Sequence, residues 1–144
     1  MAHPIPTLNE RKAVNEPTDL DLRRAEMLRA AALLRRVIDS SVPLPMSISI
    51  APLRLSPDGD LFAPGVDAYL AGAPEALPHY QALLGGQITS TPLTHPLIHR
   101  VEHCVEDMLT GLWGGMVPFR VWTRHGYSYS PAPAPAPVAA EVTA

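Results

Sequence analysis

The stretch Thr94-His95-Pro96-Leu97-Ile98-His99-Arg100-Val101-Glu102-His103-Cys104-Val105-Glu106-Asp107-Met108-Leu109-Thr110-Gly111-Leu112-Trp113 decides the fold, because it supports two readings. Ile98, Val101, Val105, Met108 and Leu112 advance by three and four residues, which is the spacing of a helix face. Thr94 suits an N-cap, Pro96 the first turn, and Gly111 an end. The alternative is a long or broken strand from His99 through Trp113, a turn at Gly114-Gly115, and a second strand from Met116 to Thr123. Gly-Gly between apolar runs is a hairpin signal. Phe119-Arg120-Val121-Trp122-Thr123 alternates β-branched and aromatic residues around an arginine, as a strand does. A hairpin over Leu109–Thr123 fits either reading, so helix and strand stay open only for 95–107.

Upstream, Asp19–Asp39 reads as an amphipathic helix. Thr18 is placed to cap it, with Asp21 three residues on. Asp19 and Asp21 suit the positive helix end, Arg35 and Arg36 the negative end. Leu20, Met27, Ala31, Leu34 and Ile38 share one stripe, which Leu22, Ala30, Leu33 and Val37 widen to about half the circumference. That face packs on its own domain or docks on a partner. Leu20, Met27, Leu34 and Ile38 are the candidate partner-binding residues.

Pro43 and Pro45 end the helical register. Met46–Ile50 alternates as a half-buried strand, and Pro52 in its extension points to an edge or an end. Ser56-Pro57-Asp58-Gly59-Asp60 is a turn. Residues 64–84 read as one or two short helices, with Pro64 and Pro74 in first turns and Gly85-Gly86 closing the second. Gln87–Thr91 reads as a short strand stopped by Pro92.

Leu83-Leu84-Gly85-Gly86-Gln87-Ile88-Thr89, then His99-Arg100-Val101, then Val117-Pro118-Phe119-Arg120-Val121-Trp122-Thr123, resembles a loose group of small uncharacterised proteins. These occur in high-GC Gram-positive bacteria, often on phages, plasmids or integrated elements. The resemblance covers about 50 residues. It implies an α+β fold and a strand for part of 95–107, and it implies no activity.

The whole chain has 144 residues, 47% of them hydrophobic and 17% charged, which suits one domain. Its 17 prolines are the compositional outlier. Seven lie in the tails, and most of the others mark element boundaries. The expected organisation is a flexible arm over 1–17, the amphipathic helix over 18–40, an α+β domain with a small antiparallel sheet and one or two short helices over 42–126, and a disordered Pro/Ala-rich tail over 127–144. No apolar run is long enough to span a membrane. Met1–Pro6 lacks a signal-peptide pattern. Cys104 is the only cysteine, so no intrachain disulfide is expected. These features point to a cytoplasmic protein.

His95, His99 and His103 recur at four-residue spacing, close to Glu102, Glu106 and Asp107, and form the candidate metal cluster. A solvated polar face competes with that reading. Cys104 reads as a small buried hydrophobe rather than a nucleophile. No nucleophile elbow and no phosphate-binding loop occurs. The formal net charge of −3 does not favour nucleic acid. Seven basic residues precede position 40, but six acids accompany them. The sequence therefore points to a non-enzymatic accessory or regulatory protein without a cofactor. It would act through protein contacts, with a protein partner or its own copy, and the resemblance implies a mobile-element origin. Metal binding and DNA binding are the rival readings.

Overall fold

The computed structural model describes residues 18–133. The expected arm over 1–17 and residues 134–144 of the tail expected over 127–144 lie outside the described residues, whereas 127–131 of that tail belong to a strand. Within them the chain forms α1 (Asp19–Asp39), β1 (Ser47–Arg54), β2 (Phe62–Tyr69), a 3₁₀ turn (Pro74–Ala76) leading into α2 (Leu77–Leu84), β3 (Gln87–Pro96), β4 (Arg100–Trp113) and β5 (Val117–Pro131).

The five strands form one sheet in the order β1-β2-β5-β4-β3. A hairpin (β1–β2) and a meander (β3–β4–β5) are each antiparallel internally. They join through β2 and β5, which run parallel from Val66↔Phe119 to Tyr69↔Trp122. The α+β class stands, but the sheet is mixed rather than antiparallel. The physical reason is the segment 62–69, which is a strand rather than a helix. Once it pairs with β1, the 3₁₀ turn and α2 carry the chain across one face to the far edge. Two antiparallel reversals then bring β5 back beside β2 in the same direction.

The spacing of Val66, Tyr69 and Leu70 imitates a helix, yet the burial alternates. Val66, Ala68 and Leu70 are buried, while Asp67 and Tyr69 are only half-buried. Pro64 is tolerated because it pairs with Pro52 before the parallel pairing begins at Val66. A Cβ on Gly65 would stand 2.3 Å from the Pro118 carbonyl oxygen, so only glycine fits there.

The segment 95–107 is β-structure. β3 continues through Pro92 to Pro96, and β4 starts at Arg100 after a turn at Leu97–His99. Pro92 does not stop β3, because β3 is an edge strand and one side of its backbone needs no partner. Gly114 and Gly115, with φ of 60° and 71°, and Met116 connect β4 to β5. β5 stays paired with β4 beyond residue 126, as far as Pro131↔Arg100. Gly126, with φ of 66°, sits at the register shift that lets it do so.

Both helices cover one face of the sheet. α1 lies over β1 and β2, and α2 over β4 and its neighbours. The core joins Ala30, Leu33 and Val37 of α1 with Val66, Ala68, Leu77, Tyr80, Leu109, Phe119 and Val121. Thr18 caps α1 with a full capping box: its Oγ1 accepts from the Asp21 amide, and the Asp21 carboxylate accepts from the Thr18 amide. Gly85 ends α2 at φ 75°. Gly86 and Gly111 leave room for the Phe119 ring, which a Cβ on either would crowd. Tyr80 is fully buried and donates to the Pro43 carbonyl at 2.5 Å, tying α2 to the segment after α1. Desolvation pushes its hydroxyl up to about 12.

Candidate functional site

At about 100° per residue, Leu20, Met27, Leu34 and Ile38 stay within about 40° of one line along α1. Ala30, Leu33 and Val37 lie about a quarter-turn away. That second line faces the sheet, and its residues are 0–1% exposed. The first line is not what anchors the helix. Leu20 is 64% exposed, and Met27 and Ile38 are each 47% exposed. Leu34 alone is half-buried at the margin of the core. Small and branched residues at 30, 33 and 37 allow close approach to β2, so the longer side chains flank the contact. Arg24 and Arg35 border the exposed line. They pair on the helix itself with Asp21 at 3.8 Å and Asp39 at 3.3 Å. Both pairs are exposed and are worth little to stability.

Among the described residues, no helix covers the opposite face of the sheet. Alternation along β2, β4 and β5 sends Asp67, Tyr69, Glu106, Met108, Arg120, Trp122 and Arg124 to it. Asp67 is saturated: Arg120 donates through two nitrogens, one at 3.3 Å, and the Trp122 indole donates at 2.9 Å. Its carboxylate serves as an electrostatic anchor rather than a free base. Tyr69 and Trp122 rings meet at 4.6 Å and 40°. The Arg124 guanidinium lies 5.4 Å from the Trp122 ring and donates to Glu106 at 3.0 Å. The Glu106 hydrogen bond raises the Arg124 pKa, against partial desolvation. Beside this network a cleft of about 540 Å³ is lined by Leu53, Phe62, Met108, Thr110 and Arg120.

On the helix-covered face, Ser90, Asp107 and His125 hydrogen-bond together. The order is not that of a nucleophile triad. Asp107 sits in the middle, with Ser90 on one oxygen and His125 at 2.7 Å on the other. The imidazole therefore does not stand between serine and carboxylate, where it would take the serine proton.

The three histidines of the rival metal-binding reading do not converge. The readings that joined them assumed one continuous helix or strand, and the turn at 97–99 breaks both. His95 is the penultimate residue of β3, His99 is exposed in the turn, and His103 pairs with Ser130 at 2.7 Å. His95 instead meets Glu102 and Cys104, a grouping that spacing along the chain alone did not reveal. Its one sequence signal is Glu102-x-Cys104, which places two ligand types on one face of a strand. Cys104 is buried, at 4% exposure.

No family model, no curated protein and no solved structure matches the chain.

Proposed function

We propose that the protein is a non-enzymatic accessory or regulatory protein that acts by docking the outward apolar line of α1 onto another protein chain. The carrying observation is that Leu20, Met27 and Ile38 stay exposed on a helix already anchored through Ala30, Leu33 and Val37. An apolar line that is mostly exposed on an already anchored helix leaves surface that a partner can cover, and amphipathic helices dock in this way through anchors spaced by three, four and seven residues. The partner fits best as an apolar groove with a polar rim, because the Arg24–Asp21 and Arg35–Asp39 pairs border the line. The saturated Asp67 and the order of the Ser90–Asp107–His125 group favour binding over catalysis. The resemblance in Leu83–Thr89, His99–Val101 and Val117–Thr123 is consistent with an origin on a mobile element and carries no role.

The test replaces Leu20 and Met27 together by serine. The expected result is loss of association, with its own copy or with a co-purifying protein, and an unchanged far-ultraviolet circular dichroism spectrum. Association at wild-type strength, or loss of the fold, contradicts the proposal.

A further inference from the structure

The edge hairpin β3–β4 assembles a ligand set on the helix-free face. His95 stands opposite Glu102 in the register, and Cys104 follows two residues along β4 on the same side. One ligand atom from each of the three residues lies within 4.8 Å of the other two. His95 Nδ1 is 4.0 Å from Glu102 Oε1, too far for a hydrogen bond. That nitrogen is shut off from solvent and has no hydrogen-bond partner among the described residues. A buried, unsatisfied ring nitrogen beside a carboxylate and a thiol costs stability unless something occupies the space between them.

We infer that His95, Glu102 and Cys104 form a Zn²⁺ site. Thiolate, imidazole and carboxylate together suit a borderline metal, whereas Mg²⁺ and Ca²⁺ call for oxygen ligands alone. Tetrahedral ligands at about 2.0–2.3 Å from zinc stand roughly 3.3–3.7 Å apart. Side-chain rotation of well under an ångström per ligand closes the observed separations. Binding replaces the Cys104 thiol proton, which leaves to solvent, so the two anionic ligands balance the charge of the ion. The surroundings supply a second layer. The Tyr129 hydroxyl donates to Glu102 Oε2 at 3.3 Å and leaves Oε1 free for the metal. The Arg100 guanidinium rests 4.1 Å from the centre of the Tyr129 ring and holds that ring in place. Three protein ligands leave the fourth position of a tetrahedral site to a water. The site is independent of the α1 surface, and either can fail without the other.

The experiment uses the full chain without a histidine tag, reduced and stripped of metal, titrated with Co²⁺ and then Zn²⁺. One equivalent of Co²⁺ is expected, with a thiolate-to-cobalt charge-transfer band and tetrahedral visible bands that Zn²⁺ abolishes. Cys104→Ser removes the charge-transfer band. His95→Ala and Glu102→Gln weaken Zn²⁺ binding by on the order of tenfold or more. His99→Ala and His103→Ala leave it unchanged. Glu102→Gln is nearly isosteric and only partly buried, so it keeps the test valid if Cys104→Ser disturbs the fold. No Co²⁺ binding, an octahedral spectrum without the thiolate band, or affinity that survives His95→Ala but not His99→Ala overturns the inference.

Discussion

Leu33→Ala and Met27→Ala separate the two faces of α1. Leu33 is fully buried between α1 and the sheet, so truncation removes its transfer free energy and leaves a cavity in a layer that also holds Val37, Val66 and Ala68. Leu-to-Ala changes at such sites cost about 2–5 kcal/mol. Leu33 belongs in the middle of that range, near 3 kcal/mol, because the rigid sheet beneath it limits collapse into the void. Met27 is 47% exposed. Its truncation forfeits only part of a side chain's burial and gains a little helix propensity, so the net cost is under about 1 kcal/mol. Urea unfolding followed by circular dichroism and by Trp113 and Trp122 fluorescence measures both. Equal costs for the two variants, or a Leu33→Ala cost under about 1 kcal/mol, would refute the assignment of the buried face.

Other perturbations probe other parts of the fold. Thr18→Ala removes the side-chain half of the capping box and is expected to cost about 1 kcal/mol in the same unfolding assay. Gly86→Ala is expected to cost more than about 2 kcal/mol, since its φ is 89° and a Cβ would stand 2.4 Å from the Thr110 carbonyl oxygen. Gly114→Ala has open space around it and is expected to cost only about 1 kcal/mol of backbone strain. Thr123 is fully buried and its hydroxyl has no partner among the described residues, so Thr123→Val should stabilise by about 1 kcal/mol; a loss of stability would reveal a partner for that hydroxyl. For Tyr80 the folded pKa of about 12 lies above the ordinary 10.0, so folding favours the neutral phenol. Its contribution is full below pH 10 and declines by about 1.4 kcal/mol per unit between 10 and 12, a decline that Tyr80→Phe should remove from an alkaline stability profile.

How legible each element was depended on whether local chemistry or distant pairing decided it. The limits of α1 follow from Thr18, Asp21 and the prolines after it, all local signals. Its buried arc does not, because the line through Leu20, Met27 and Ile38 and the line through Ala30, Leu33 and Val37 are both apolar, and only the position of the sheet decides between them. β2 was hidden because Pro64 and Gly65 look like punctuation and Val66, Tyr69 and Leu70 fall at helical spacing. Its strand character comes from pairing with β1 and with β5, more than fifty residues later. The segment 95–107 carries both periodicities, and the meander resolves it. The His95–Glu102–Cys104 group needs the hairpin register to exist, and that register is set by a three-residue turn rather than by histidine spacing.

The central claim is that the line through Leu20, Met27 and Ile38 meets another chain. A photo-crosslinking side chain in place of Met27, compared with one in place of Arg36 on a different face of α1, tests it most directly in cells that express the protein. The account predicts a discrete crosslinked product from position 27, lost when Ile38→Ser is added, and only background from position 36. Equal products from both positions, or none from position 27, would contradict it.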